Sequence, residues 1–173
     1  MGDLNLIAGT GFGQLDIVEP VICPAGMASG GIALTAQSAV LMLVRVTKPV
    51  TVTKLSCYTS AATANVDMSI LDSAYNEISP ISAPVAAVAG GLTTGTLSAA
   101  FTYQPGVDYY HAIVLDASVT IVRGFTGQAV ILNAGTGAGT QRALIKAVAQ
   151  NTIPASIASP AATAVGLWVA GHN

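Results

Sequence analysis

Short runs rich in β-branched and aromatic residues recur along this chain from residue 39 onward, and Gly, Pro, Asn or Asp ends most of them. Runs of this length and punctuation are typical of β-strands, and they leave no stretch long enough for a helical stripe. The clearest case is Asn65–Leu71, where Val66, Met68 and Ile70 alternate with the residues between them. A period of two predicts a half-buried strand.

The same pattern predicts strands at residues 39–46, 50–58, 65–71, 77–82, 95–103, 108–115, 118–123, 128–132 and 163–170. Turns are predicted at residues 72–76 and 104–106, since Asp, Asn, Pro and Gly favour tight backbone conformations. Within 108–115, alternation places Tyr109, His111, Ile113 and Leu115 on one face. Residues 142–149 fit either a helix or a strand, and the short length favours a strand. The pattern predicts an all-β fold, an antiparallel β-sandwich of jelly-roll type.

The first 31 residues differ from the rest, because Gly and Pro interrupt every apolar run there. We predict an extended Gly-rich N-terminal arm at residues 1–31, with one short strand at 14–18, followed by a β-sandwich domain at residues 32–173. The arm carries apolar side chains that are expected to anchor it to neighbouring subunits: Leu4, Leu6, Ile7, Phe12, Leu15 and Ile17.

Charged residues make up only 8% of the 173 residues, whereas an ordinary soluble domain carries roughly 25%. Interfaces between permanently associated subunits are depleted in charge and enriched in apolar area. The composition therefore predicts that much of the exterior contacts other subunits, and it favours a homo-oligomer, with a trimer preferred.

Composition also argues against two classes of partner. The formal net charge is −2 and the six basic residues form no cluster, so nucleic-acid binding is not expected. The long uncharged stretches at 21–44 and 147–171 are interrupted by Pro, Gly, Gln or Ser, so no membrane insertion is expected. No basic residue precedes Arg45, which predicts synthesis in a cytoplasm without a secretory signal.

Catalytic groups are scarce, and we predict no enzyme, no catalytic residue and no cofactor. His111 lies within a predicted strand and His172 is the penultimate residue, so neither belongs to a recognisable nucleophile or metal pattern. The Gly-rich segments at 9–13 and 135–139 lack the spacing of phosphate-binding loops. Cys23 and Cys57 lack ligand spacing, and a disulfide between them stays open.

Two weaker alternatives involve ligands. Asp67, Asp72, Glu77 and Asp108 offer oxygens for calcium if their turns are neighbours, but solvated turn acids are the favoured interpretation and no metal is expected. Tyr109, Tyr110 and Trp168 offer a surface on which a sugar ring could stack. That surface would make the chain a carbohydrate-binding module for host adhesion.

Several motifs, taken in order, carry a resemblance to a known family. They are Leu43-Val-Arg-Val-Thr-Lys-Pro-Val-Thr-Val-Thr-Lys-Leu55, Val66-Asp-Met-Ser-Ile-Leu-Asp-Ser-Ala-Tyr-Asn76, Pro105-Gly-Val-Asp-Tyr-Tyr110, Ile113-Val-Leu115 and the Ile153-Pro-Ala-Ser turn before the Trp168 strand. Over residues 40–170 the chain resembles a sandwich domain of tailed-bacteriophage virion proteins, especially those of actinobacterial phages. A long helical or fibrous stalk, as in a stand-alone fibre, is missing from the sequence.

The resemblance implies a structural role in a virion assembled in the host bacterial cytoplasm, with other virion proteins as partners and no active-site residues. A minor tail or tail-tip protein on the particle exterior is the preferred expectation. A capsid decoration or head-fibre protein is the alternative, and a host surface glycan is a further partner if the aromatic surface exists.

Overall fold

The computed structural model describes residues 17–20, 30–126, 143–163 and 165–173, and all regular structure in these residues is β-strand. The strands are β1 (Gly30–Leu34), β2 (Ser38–Val44), β3 (Val50–Thr59), β4 (Asn65–Leu71), β5 (Glu77–Pro80), β6 (Val85–Ala86), β7 (Gly91–Tyr103), β8 (Tyr109–Leu115), β9 (Val119–Thr126), β10 (Ala143–Ala147), β11 (Ala161–Ala162), β12 (Val165–Leu167) and β13 (Val169–His172). The predicted all-β class is confirmed.

The strands pair in antiparallel fashion throughout. A seven-stranded sheet has the order β11-β10-β2-β8-β4-β5, with β6 pairing with β4 beside β5. Two three-stranded sheets, β13-β3-β7 and β1-β9-β12, contribute side chains to the core that covers one face of the large sheet. This arrangement confirms the predicted sandwich, whereas the jelly-roll connectivity stays a prediction.

The large sheet is buried on both faces, which explains why its central strands are apolar at almost every position. On β2, Val40, Met42 and Val44 face the core shared with β3, β7 and β13. The intervening Leu41 and Leu43 face a second core, which is closed by the 148–157 segment through Ile153 and Ile157. Strands buried on both sides read as continuous apolar runs, as strand β2 does.

Most predicted strands agree with the structure. The bounds of β4 match the prediction, and residues 143–147 of the ambiguous segment form strand β10. The predicted strand at 163–170 is instead divided at Trp168 into β12 and β13, which belong to different sheets. The first strand among the described residues, β1, was not predicted, and its residues Gly30 and Gly31 fall within the predicted arm. The predicted strand at 128–132 and the Gly-rich segment at 135–139 lie outside the described residues.

A buried imidazole joins the two layers of the sandwich. His111 on β8 is fully buried, and its Nε2 lies 2.6 Å from the Tyr103 hydroxyl on β7. Its Nδ1 lies 2.7 Å from the Val169 carbonyl oxygen on β13. Because a carbonyl only accepts, Nδ1 carries the proton and Nε2 accepts from the tyrosine hydroxyl. A neutral histidine therefore satisfies polar groups from two strands of the facing sheet.

Close packing around this histidine favours glycine in β13. A Cβ at Gly171 would lie 3.3 Å from the Tyr103 hydroxyl and 3.4 Å from Val52. That separation is tighter than ordinary van der Waals contact, so Gly171 lets β13 approach the core. Tyr103 also packs edge-on against Tyr109, with ring centroids 5.2 Å apart.

Acid should destabilise the fold through His111. Burial lowers its pKa to about 4 from 6.5, with the Val169 hydrogen bond opposing that shift. The unfolded chain takes up a proton below about pH 6.5 and the folded chain does not, so stability falls between pH 6.5 and 4 and then levels off. We expect a loss of about 3 kcal/mol from this group over that window. Denaturant unfolding at pH 7 and at pH 4.5 measures it.

The control variants separate this histidine from other titrating groups. His111→Gln should flatten the pH dependence in that window, since glutamine has no proton to take up, whereas Val107→Ser, which changes no titratable group, should leave it unchanged. An equal slope in His111→Gln and the unmodified protein would contradict the assignment.

Candidate interaction surface

A groove crosses the outer face of the β13-β3-β7 sheet, and it arises from a row of small side chains. Ala170 on β13 pairs with Ser56 on β3, which in turn pairs with Thr94 on β7. Ala170 and Ser56 are recessed, with only 1% and 2% of their surface exposed. The neighbouring positions on the same face lie two residues away along each strand. Larger side chains occupy these positions on both sides of the row.

The walls of the groove are apolar and open to solvent. Leu92 and Ile17 are 55% and 54% exposed, and they are the two most exposed large apolar side chains in the described part of the chain. Together with Trp168, they flank a space of about 170 Å³ whose full lining is Ile17, Ser56, Leu92, Trp168, Ala170 and His172. We call this feature the Trp168 groove.

The polar atoms beside the groove already have hydrogen-bond partners within the protein. The Ser56 hydroxyl lies 2.7 Å from the Thr94 hydroxyl and 2.8 Å from Nε2 of His172. The indole N–H of Trp168 donates to a Glu19 carboxylate oxygen at 2.8 Å. The polar atoms beside the groove are thus bonded to one another, so the groove suits an apolar side chain better than a polar one.

The N-terminal segment contributes one wall. Val18 and Gly171 exchange two backbone hydrogen bonds of 2.8 Å, so residues 17–20 extend the β13 edge as an antiparallel partner. Val18 is buried, whereas Ile17 points outward beside His172. Of the predicted anchoring residues of the arm, Ile17 therefore lines the groove, while Leu4, Leu6, Ile7, Phe12 and Leu15 lie outside the described residues.

The contact between Ser56 and His172 has the length of a nucleophile–base pair. Such a pair acts only when the hydroxyl reaches substrate and a third group orients the base. Ser56 is almost fully buried and already bonded to Thr94, and Nδ1 of His172 faces the Asn173 main-chain oxygen at 3.0 Å. The Ser56 hydroxyl therefore links β3 to Thr94 on β7 and to His172 on β13.

The prediction that Tyr109 and Tyr110 form a sugar-stacking surface is wrong. Both are buried, with 7% and 1% exposed surface. Tyr109 joins the Tyr103 cluster in the core, and Tyr110 faces the second core, where its ring packs against Tyr75 at 5.2 Å. Both faces of β8 are covered because the large sheet is buried on both sides. Of the three aromatic residues, Trp168 alone borders a surface groove.

Each of the four candidate calcium ligands has a structural contact of its own. Asp72 accepts hydrogen bonds from the Ala74 and Asn76 backbone within its turn, which outweigh the opposing effect of burial and lower its pKa. Asp108 lies 2.9 Å from Nη2 of Arg45, and that hydrogen bond lowers its pKa.

Asp67 and Glu77 lie near one another but serve the second core. Asp67 accepts the Ile153 N–H at 2.7 Å and so holds the segment that covers this core. Burial raises the pKa of Asp67, and it also raises the pKa of Glu77, which bonds Ser69. Within the described ranges, no cluster of three metal-ligating side chains occurs.

Two further features are an open surface depression and a buried cysteine. An open depression of about 810 Å³ is bordered by Arg45, Ser73 and Asp108, and its two charged groups pair with each other. Cys57 is a free thiol in the core, where burial raises its pKa to about 12 and keeps it protonated and unreactive. Cys23 lies outside the described residues.

No protein-family model and no curated protein matches this chain. Among the residues described, no helix is long and apolar enough to cross a membrane.

Sequence reasoning identified one residue on each side of the groove, Trp168 and Ile17, and missed the other lining residues. Leu92 lies just outside the predicted strand at 95–103, and Ala170 and Ser56 carry no chemistry of their own. Their importance comes from the pairing of β13 with β3, two strands that are far apart in the sequence. No local signal in either segment identifies that partner.

Removal of the Asp67 carboxylate should loosen the cover of the second core. We expect Asp67→Ala to lower the free energy of unfolding by about 1–3 kcal/mol, because the buried Ile153 N–H would lose its acceptor. Hydrogen exchange at Ile153 should accelerate in the same variant. Asp67→Asn keeps an oxygen acceptor and should lose less. A calcium-dependent rise in the unfolding midpoint that Asp67→Asn removes would instead assign the carboxylate to a metal.

Proposed function

We propose that this chain is a non-enzymatic structural protein on the exterior of a tailed-bacteriophage virion, most favourably a minor tail or tail-tip protein. The observation that carries the proposal is the outer face of β13-β3-β7, where an open apolar groove lies on a face with very few charged side chains. Among the described residues, the charged side chains beside the groove belong to Glu19, which accepts a hydrogen bond from Trp168, and to Lys54, which is the strand partner of His172. Such a face suits a permanent protein–protein contact.

The energetics agree with this use of the face. Full burial of a Leu or Ile side chain contributes roughly 1.5–3 kcal/mol. Leu92 and Ile17 each leave about half of their surface open, so part of that free energy becomes available when a partner covers the groove. Repeated over several identical contacts in an assembly, these contributions add.

The rest of the exterior fits the same role. Exposed apolar side chains also occur at Ile78 and Val88. Hydroxyl pairs such as Thr51 with Thr102, at 2.8 Å, supply polarity without charge. The charge content of the whole chain is also low, at 8%. The resemblance of residues 40–170 to virion sandwich domains supports a virion as the assembly to which the chain belongs.

A capsid decoration or head-fibre protein would need the same kind of surface. Copy number separates the two locations: a decoration protein is present at a level comparable to the capsid subunit, whereas a tail protein is far scarcer. Quantitative mass spectrometry of purified particles makes this distinction.

Glycan-mediated host adhesion has less support. A sugar site combines a stacking ring with several hydrogen-bonding groups that are free to meet hydroxyls. Trp168 supplies a ring, but its N–H is bonded to Glu19, and Ser56 is bonded to Thr94 and His172. We therefore favour protein partners over a glycan.

The anchoring role of the arm can be tested in particles. We expect replacement of Leu4, Leu6, Ile7, Phe12 and Leu15 by Ser to reduce incorporation of the chain into purified virions, because the apolar burial that holds it would be lost. Val107→Ser, at an exposed turn outside the groove, is the control and should incorporate normally. Normal incorporation of the arm variant would contradict anchoring, and absence of the unmodified chain from virions would contradict the proposed function.

A further inference from the structure

The Trp168 groove has a shape that a chain segment with apolar side chains would fill. Its floor is the row formed by Ala170 and Ser56, and its walls rise at Trp168 and Leu92 on one side and at Ile17 on the other. Its lining atoms are apolar and its polar neighbours are bonded to one another. A ligand rich in hydroxyls or charge would lose hydrogen bonds to water there without replacement.

We infer that the occupant is the apolar N-terminal segment of a neighbouring copy, residues 1–16. This inference rests on the proposed function, because it requires that the chain assembles with itself. Besides Met1, residues 1–16 hold five large apolar side chains, and Gly at positions 9, 11 and 13 interrupts this segment, which directly precedes the wall residue Ile17. The segment is therefore joined in sequence to a residue that lines the groove.

The direction of the chain at residues 17–20 favours a neighbouring copy over the same copy as the acceptor of this segment. Val18 pairs with Gly171 in antiparallel register, so the chain passes from Pro20 to Ile17 along β13 toward His172. This direction leads away from Trp168, which lies before β13 at its opposite end. Entry of this segment into the groove of its own copy would therefore require a reversal of chain direction, which entry into the groove of a neighbouring copy does not require.

Trp168 is the only tryptophan in the chain, so its emission reports on the groove directly. With the full-length protein, we expect the emission to shift to shorter wavelength as protein concentration rises, together with an increase in sedimentation coefficient. Leu92→Arg places a charge on the wall, and the five-fold Ser variant of the arm removes the apolar side chains. Each should raise the concentration at the midpoint of both transitions by about tenfold or more, as expected for loss of one buried leucine.

A mixing experiment identifies the donor and the acceptor. The arm variant keeps its groove and Leu92→Arg keeps its arm, so an equimolar mixture should recover part of the emission shift that neither variant shows alone. Circular dichroism confirms that each variant is folded, and Leu92→Gln replaces Leu92→Arg if that variant unfolds. Val107→Ser, which changes an exposed apolar residue outside the groove, should behave like the unmodified protein.

Three results would overturn the inference: emission that is already shifted and independent of concentration, association that both variants leave unchanged, or a mixture that recovers nothing. These measurements use the purified protein and do not depend on virions. Incorporation into particles by a chain whose groove stays empty would refute the arm exchange while leaving the virion role intact.

Discussion

The hydrogen bonds of His111 hold the two layers of this sandwich in one relative position. A buried imidazole has to satisfy both nitrogens, and here the partners are a side chain on β7 and a backbone carbonyl on β13. An orphaned polar group in this core would cost more than the hydrogen bond itself contributes, so alternative placements of β13 are disfavoured. Gly171 supports the same placement, because it gives the Tyr103 hydroxyl the space it occupies.

The position of β13 then determines the outer surface. Pairing of β13 with β3 brings Ala170 beside Ser56 and leaves Trp168 at the rim. The backbone pair between Val18 and Gly171 adds the N-terminal segment to the same edge. The interaction that fixes the interior therefore also forms the groove on the exterior, on the opposite face of the same short strand.

The second face of the large sheet is covered by a loop segment, whereas its first face is covered by the strands of the two smaller sheets. Ile153 and Ile157 close that face, and the Asp67 carboxylate holds the backbone beside them. A carboxylate in this role keeps polar backbone satisfied inside an apolar cover. The carboxylates that looked most like a metal site thus belong to the architecture of the second core and of single turns.

The sequence by itself determined the all-β class, most of the central strands and the alternation of side chains along them, although β4, predicted to be half-buried, is buried on both faces. Alternation in Asn65–Leu71 gave β4 its bounds, and the inward set containing Tyr109 and His111 was correctly grouped on one face of β8. Local pattern sufficed there because side-chain direction in a strand has a fixed period of two. It could not tell that both faces of β8 are buried, which is why Tyr109 and Tyr110 were offered as a surface for sugar stacking. Local pattern could not predict the groove either. Ser56 and Ala170 form its floor only because their strands pair across more than a hundred residues, and that pairing depends on tertiary packing.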